Sequence, residues 1–390
     1  MDDNPVITML GRRLRLAVIG GGPGSFIGPI HRTAARIDDR YELVAGALSS
    51  DPERSRAAGV TIGLEADRAY PSGVDLLDRE AGRADGADVV AVMTPNDSHH
   101  AYSTGALDRG FDVISDKPIT NTLDEALDVL QRVNDTGLIF CLTHNYTGYP
   151  MVRQARAMVE DGQLGEIRLV QVEYVQGHKA DENDPDPSGE VPWRYDPVRG
   201  GPSLVMGDIG THAHNLVGFI TGLEVSEVAA DVGHVVPDRL VDDYAAAMLR
   251  FNDGARGIFW VTQAAAGVEN SLRIRASGTL GTVEWHQEQP TMLSFKPLEG
   301  PAQVRTPNGP GTLPLSARAS RIVAGHPEGF HEGFATIYSD AAEAIAARRA
   351  GATPDPLSLS FPNAEDGVAG VRFVDAAVAS SAAGGAWTSV

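Results

Sequence analysis

Short apolar runs alternate with amphipathic stretches through the first 145 residues, and longer runs of alternating apolar and polar positions take over from residue 166. The segments 14–19, 42–48, 87–93, 111–114 and 138–142 read as short buried strands. Helical periodicities lie between them, as in 121–134, where Leu123, Leu127 and Leu130 recur on one face. Strand and helix in regular alternation predict a mostly parallel, right-handed sheet. Beyond 166, the segments 167–175, 225–236, 245–251, 255–264 and 272–276 alternate residue by residue, and turns such as Asn252-Asp253-Gly254 join neighbours. This half predicts one broad antiparallel sheet with helices on one face. Its other face has then to be buried, most simply against a second copy of the chain.

The first strand runs straight into Gly20-Gly21-Gly22-Pro23-Gly24-Ser25-Phe26-Ile27-Gly28 and a helix. Strand, glycine turn and helix let backbone N–H groups and a helix N-terminus hold a pyrophosphate. The spacing departs from G-x-G-x-x-G, because Gly20 and Gly22 fit but Ser25 occupies the sixth position; Gly28 is expected to take over the close-packing role. The fold class is therefore α/β: an N-terminal Rossmann dinucleotide-binding domain over 1–145, then a C-terminal α+β domain over 146–390 with a large open, mostly antiparallel sheet. At the tip of the second strand stand Ser49 and Ser50, with Asp51 one step late and Arg54 nearby. Ser plus Arg suits a 2′-phosphate and Asp51 suits free ribose hydroxyls, so NAD is the expected cofactor with NADP as the alternative.

The strand at 111–114 ends in Ser115-Asp116-Lys117-Pro118. A lysine at the carboxyl end of a parallel strand faces the crevice where such sheets hold ligands. The third strand similarly runs into Thr94-Pro95-Asn96-Asp97-Ser98-His99-His100. The two histidines also read as surface residues, and an adjacent pair cannot face one metal from a helix.

In the second half, 177–202 is a Pro-, Gly- and Asp-rich segment carrying His178, Lys179, Trp193 and Arg194. A loop of that length in a compact domain is usually functional or disordered. Asp208 and His212 then open a helix, four residues apart and so on one face. A carboxylate beside an imidazole orients it as a general base. The alternatives are Asp208 as a helix cap with His212 in the core, or a metal pair, for which no third ligand is apparent.

Composition narrows the partners. A formal charge of −20 argues against nucleic acid or an anionic membrane as a partner. Cys141 is the single cysteine, so neither an intrachain disulfide nor a cysteine zinc site is available. Residues 1–13 carry early acids without a long apolar core, and no apolar run is long enough to span a bilayer. The expected location is the cytoplasm. With 390 residues, the chain can bury two cores.

In this order and spacing, the glycine loop, Thr94-Pro95-Asn96 with His99, Asp116-Lys117-Pro118, Trp193-Arg194 and Asp208-x-Gly210-x-His212 resemble the Gfo/Idh/MocA family of nicotinamide-dependent sugar and cyclitol oxidoreductases. Asp116 stands where the family's E-K-P motif carries glutamate. The resemblance covers nearly the whole chain and implies a dehydrogenase acting on a secondary hydroxyl of a pyranose, glycoside or cyclitol. It implies that Lys117 contacts the reacting hydroxyl, that His212 takes its proton and that Asp208 binds an adjacent hydroxyl. Gly20, Gly22, Gly24, Ser25, Phe26, Ile27, Ser49, Ser50, Arg54, Thr94, Asn96, His99, Asp116, Lys117 and Asn145 would then line the cofactor. Tyr146, His178, Lys179, Trp193 and Arg194 would join the three catalytic residues at the substrate. Two alternatives accompany this reading: an oxidoreductive glycosidase using transient C3 oxidation, as in a sulfoquinovosidase-like branch, and a non-enzymatic redox sensor. If His178, Lys179 and Arg194 converge, they suit an anionic substituent. A homodimer or homotetramer is expected.

Overall fold

The computed structural model describes residues 4–181, 184 and 191–390, so residues 182–183 and 185–190 of the Pro-, Gly- and Asp-rich segment lie outside the described residues. The chain divides into two compact units. The first contains the residues up to Asn145 together with His331–Val368; the second contains Tyr146–Phe330 and Ala369–Val390.

Five strands build the first unit: β1 (Leu14–Gly20), β2 (Tyr41–Ala47), β3 (Val89–Met93), β4 (Asp112–Ser115) and β5 (Phe140–Leu142). They are parallel throughout, in the order β2-β1-β3-β4-β5. Chain order reverses direction between β1 and β3, which is where open parallel sheets bind ligands. All five residues of β3 are buried, as helices on both faces of such a sheet require.

A single cut at 145/146 does not describe the packing, because 331–368 returns to the first unit. The reason lies on the helix Phe330–Ala350. The Tyr338 hydroxyl meets His31 Nδ1 at 2.7 Å, and the Tyr41 hydroxyl donates to the Tyr338 carbonyl at 2.7 Å. At the helix's far end Arg348 reaches Asp112 (2.7 Å) and Arg349 reaches Asp88 (3.0 Å). Both acids sit at strand starts, almost fully withdrawn from water, and need those cations.

The second unit holds β6 (Ile167–Val175), β7 (Val225–Gly233), β8 (Tyr244–Phe251), β9 (Arg256–Thr262), β10 (Ser271–Gly278), β11 (Gly281–His286), β12 (Leu293–Pro297), β13 (Gln303–Arg305) and β14 (Thr388–Ser389). Their order is β13-β12-β11-β10-β6-β9-β8-β7-β14, antiparallel except for the central β6–β9 pair. At the turn after β8, Gly254 adopts φ 88°, a left-handed conformation that glycine enters without steric cost. Alternation assigns the faces. Val172, Phe259, Val261, Ile274 and Trp285 point into one core with Val152 and Met158 of the helix Pro150–Glu160 and Leu216 and Ile220 of the helix Thr211–Thr221. Leu169, Met248, Ile258 and Trp260 project to the other face, where they are exposed.

Burial depresses the pKa of His31 in the first unit and of His214 in the second. His31 lies edge-on to Phe334 and Tyr338, and His214 stacks on Phe373 at 4.6 Å; burial lowers both pKa values to about 4. Both rings are therefore neutral in the folded protein, whereas the unfolded chain binds their protons near the ordinary value of 6.5. Stability is complete above pH 6.5 and falls as pH drops towards 4, by up to roughly 3 kcal/mol for each ring. His214→Phe should flatten that part of the pH dependence, as read by thermal melts from pH 4 to 8. An unchanged slope would rule out protonation of His214 as a cause of acid unfolding.

Candidate functional site

Close backbone approach explains the glycines. A Cβ on Gly20 would stand 2.6 Å from the Met93 carbonyl oxygen, one on Gly22 would stand 1.9 Å from that of Leu48, and one on Gly28 would stand 2.0 Å from that of Gly21. Gly28 thus packs the helix Ile27–Ile37 onto the loop. Ser25 Oγ accepts the Gly28 N–H at 3.2 Å, while Gly24 (φ 85°) has open space and Phe26 is exposed. The loop borders a cavity of about 310 Å³ lined by Gly22, Gly24, Ser25, Arg32, Leu48 and Arg54 among others, with no carboxylate in its lining. Bare backbone and two guanidinium groups fit the anionic half of a dinucleotide.

At the tip of β2, Asp51 is committed to its helix. Its Oδ1 accepts the Arg54 N–H at 2.7 Å and caps Pro52–Thr61. Arg54 Nε donates to Ser49 Oγ at 2.8 Å, and Ser50 is exposed.

The turn carrying Lys117 is tied from three sides. The Asp116 N–H bonds the Val92 carbonyl at 2.8 Å, and Asp116 Oδ1 accepts from the Lys117 N–H (3.0 Å) and the Thr143 hydroxyl (2.9 Å). The Lys117–Pro118 peptide is cis. His99, read from sequence both as a surface residue and as a cofactor contact, is a buried brace. Its Nδ1 lies 2.7 Å from the Pro118 carbonyl and its Nε2 lies 2.9 Å from that of Thr94. His100 pairs with Asp128 at 2.8 Å. Lys117 and Asn96 are half-buried beside these elements. Asn145 is buried, and its Nδ2 has no hydrogen-bond partner among the described residues, so a donor is free there for a ligand.

In the second unit Asp208 sits on a π-helical turn (Met206–Gly210) that leads into Thr211–Thr221. Wide turns of this kind recur at functional sites. Asp208 lies within this turn and not at its N-cap position, and its Oδ2 accepts from Gln263 Nε2 at 2.8 Å. His212 follows on the same face, buried, edge-on to Tyr146 (5.0 Å) and Tyr174 (6.3 Å). The phenols of Tyr146 and Tyr174 meet at 2.5 Å, and Asn270 bonds both. Burial raises both tyrosine pKa values, which keeps the phenols neutral hydrogen-bonding groups.

His178 and Lys179 are brought near Asp208, whose charge favours their protonated forms while burial lowers both pKa values. Lys179 Nζ lies over the Tyr195 ring at 4.6 Å. Arg194 is exposed and stacks on Trp193 at 4.4 Å. Among the described residues no group of three or more His, Cys, Asp or Glu is arranged to hold a metal ion. Gln176, Gln263 and Asn270 escaped the sequence reading. Their one signal is a polar residue where an apolar strand pattern ends, which is also what an ordinary loop start looks like.

Residues 14–144 match the profile described as oxidoreductase family, NAD-binding Rossmann fold (GFO/IDH/MocA), and residues 152–284 match that of the GFO/IDH/MocA C-terminal domain. Among solved structures, an oxidoreductase from Sinorhizobium meliloti is 45% identical with a TM-score of 0.87, over 96% of this chain and 99% of that one. An inositol dehydrogenase homolog from Azotobacter vinelandii, complexed with NADH and myo-inositol, is 34% identical with a TM-score of 0.89, over 98% and 99%. Levoglucosan dehydrogenase from Pseudarthrobacter phenanthrenivorans is 27% identical over 71% of this chain and 75% of its own length.

The 1.9 Å approach at Gly22 is too close for any side chain, so Gly22→Ala must push the loop away from Leu48. NADH binding, followed by fluorescence titration, should weaken by about tenfold or more, equivalent to ~1.4 kcal/mol. Unaltered affinity would detach this loop from cofactor binding.

Proposed function

The chain belongs to the GFO/IDH/MocA family of NAD-binding oxidoreductases, and from that premise we propose that it oxidises a secondary hydroxyl of a pyranose, glycoside or cyclitol. The observation that carries this reading is the Asp208–His212 face, with its carboxylate fixed by Gln263 and its imidazole walled by two tyrosines. Myo-inositol and levoglucosan, named for two relatives, are both uncharged and rich in secondary hydroxyls.

In the proposed reaction His212 accepts the proton of the reacting hydroxyl at a ring nitrogen, and Asp208 accepts a hydrogen bond from a neighbouring hydroxyl. Lys117 Nζ donates to the reacting oxygen and stabilises its developing negative charge. Asn145 Nδ2 offers a further donor for cofactor or substrate. Bound NAD supplies the hydride acceptor at nicotinamide C4. The tied turn around Asp116 and the amide on Asp208 hold their groups in place before substrate arrives, which is the preorganisation that proton and hydride movement require.

Lys117→Ala and His212→Ala should each lower kcat by about 10²–10⁴-fold, the usual worth of a general acid–base group. For His212→Ala, a position outside the residues expected at the cofactor, NADH affinity should remain close to wild type. Absorbance of NADH is followed with myo-inositol, levoglucosan and a nitrophenyl glycoside, using NAD and NADP in parallel because Ser49 and Arg54 stand together at the β2 tip. Normal turnover by either variant removes that residue from the chemistry. Aglycone release without net NADH would replace the dehydrogenase by the redox-neutral glycosidase.

We also propose that the open face of the second sheet joins two copies of the chain. Leu169, Met248, Ile258 and Trp260 leave an apolar strip across β6, β8 and β9, and Ile258 is 60% exposed. Ion pairs Arg273–Glu173 and Arg275–Glu284 border it, as at the polar rim of an interface. Met248→Glu combined with Ile258→Glu should convert an oligomer to a folded monomer in light scattering. A wild-type monomer at micromolar concentration would refute the assignment.

A further inference from the structure

Two buried polar atoms near Asp208 lack partners, and they are of opposite kind. Gln263 follows the last residue of β9 and is completely buried. Its Nε2 donates to Asp208 Oδ2 (2.8 Å) and to Gln176 Oε1 (3.2 Å), while its Oε1 has no hydrogen-bond partner among the described residues. Lys179 is also buried, and its Nζ has no hydrogen-bond partner among the described residues. The backbones of the two residues are joined, since the Lys179 N–H donates to the Gln263 carbonyl at 3.0 Å.

The orientation of the Gln263 amide follows from its neighbours. Only an NH₂ group can face the Asp208 carboxylate. Gln176 Nε2 is turned towards Asn270 Oδ1 (2.7 Å), which leaves Gln176 Oε1 as the acceptor for the second Gln263 hydrogen. Asn270 in turn donates to Tyr146, the residue against which His212 lies. The network therefore fixes Oε1 as the outward atom of Gln263. A buried and bare atom calls for completion by a ligand, an ion or an ordered water.

We propose that Gln263 and Lys179 form a substrate-reading pair: Gln263 Oε1 accepts from, and Lys179 Nζ donates to, hydroxyls adjoining the one that reacts, so that the site selects a neutral vicinal polyol. A hydroxyl both donates and accepts, so a run of hydroxyls satisfies both atoms. A carboxylate or sulfonate offers acceptors alone. It would engage Lys179 but leave Gln263 Oε1 opposed to oxygen and set a second negative charge near Asp208. This deepens the dehydrogenase reading and rests on it for the role of Asp208. Gln263 also acts through Asp208 as a positioning residue.

The test uses the full-length protein with NADH bound, so that affinity is read apart from turnover. Titrations of myo-inositol, its monodeoxy analogues, levoglucosan, glucose and glucuronate are compared for wild type, Gln263→Met and Lys179→Met. Wild type should bind neutral polyols and prefer glucose to glucuronate. It should also lose about tenfold or more in affinity for the deoxy analogue that lacks the hydroxyl being read. Each variant should lose that discrimination while keeping NADH affinity and a single cooperative thermal transition, a pattern that a merely structural residue does not produce. Retained discrimination in both variants, tighter binding of glucuronate than glucose, or no polyol binding at all would overturn the proposal. Binding and discrimination without NAD reduction would sustain the pair and overturn the dehydrogenase reading alone.

Discussion

Asp116 Oδ1 accepts the Lys117 N–H and the Thr143 hydroxyl at once, while the Asp116 N–H bonds the Val92 carbonyl. One residue thereby ties together the carboxyl ends of β3, β4 and β5, at the edge where a parallel sheet offers its ligand crevice. His99 closes the other side by bridging Thr94 and Pro118. A lysine on a surface turn has four rotatable bonds and a mobile backbone. Here the backbone is fixed, and only the side chain's own freedom remains to be lost on binding. The glutamate of the related motif is one methylene longer than Asp116. The shorter acid still spans both donors here because Thr143 is held close by its own N–H bond to the Ser115 carbonyl (3.0 Å).

The second unit obeys the same accounting of polar groups with a different outcome. Tyr146, Tyr174, Asn270, Gln176, Gln263 and Asp208 form one hydrogen-bonded series, in which the two tyrosines and Gln263 are buried and the other three half-buried. A network in low dielectric gains from cooperativity only when each member is satisfied, and an incomplete one is costly. This one is incomplete at Gln263, and the incompleteness lies beside the carboxylate rather than at the tyrosine end. An apolar residue there would remove the bare acceptor but leave the Asp208 and Gln176 oxygens without their donor. The glutamine thus supplies two donors to the network and holds a bare acceptor beside the carboxylate.

Most of the fold was legible because it is encoded locally. The strand 14–19, the glycine loop, the strand 167–175 and the Asn252-Asp253-Gly254 turn each declare themselves within ten residues, and the observed elements agree to within a few positions. The return of 331–368 to the first unit was not legible. It depends on Tyr338 meeting His31 and Tyr41, some 300 residues away, and nothing in the helix's own pattern names that partner. The single parallel pair β6–β9 was hidden for the same reason, since a strand's alternation says which face it buries but not which neighbour it takes. Within the candidate site, Lys117, Asp208 and His212 stand out only as a set that resembles the family's motifs, because each alone reads equally as a surface lysine, a helix cap or a core histidine. Gln263 does not, because an uncharged amide after a strand is ordinary until its neighbours show which of its atoms is bare.

Charge gives the two units different tasks despite one overall sign. The chain carries a formal −20, yet at physiological ionic strength a field is screened beyond about 8 Å, so the groups lining a cavity outweigh the total. Around the glycine-loop cavity those groups are Arg32 and Arg54, with no carboxylate in the lining, and the local sign is positive. That is the environment an anionic dinucleotide needs within an otherwise repelling surface. Around Gln263 the balance differs. Asp208 and Asp184 act on Lys179 against Arg194 and Arg239, Arg239 is itself paired with Asp184, and burial disfavours the charged forms of both His178 and Lys179. Among the described residues both signs of charge act there, and the Gln263 and Lys179 polar atoms remain bare. Under the proposed pairing a carboxylate or sulfonate would meet Lys179 but oppose oxygen to Gln263 Oε1 and Asp208, whereas a hydroxyl can donate to Gln263 and accept from Lys179.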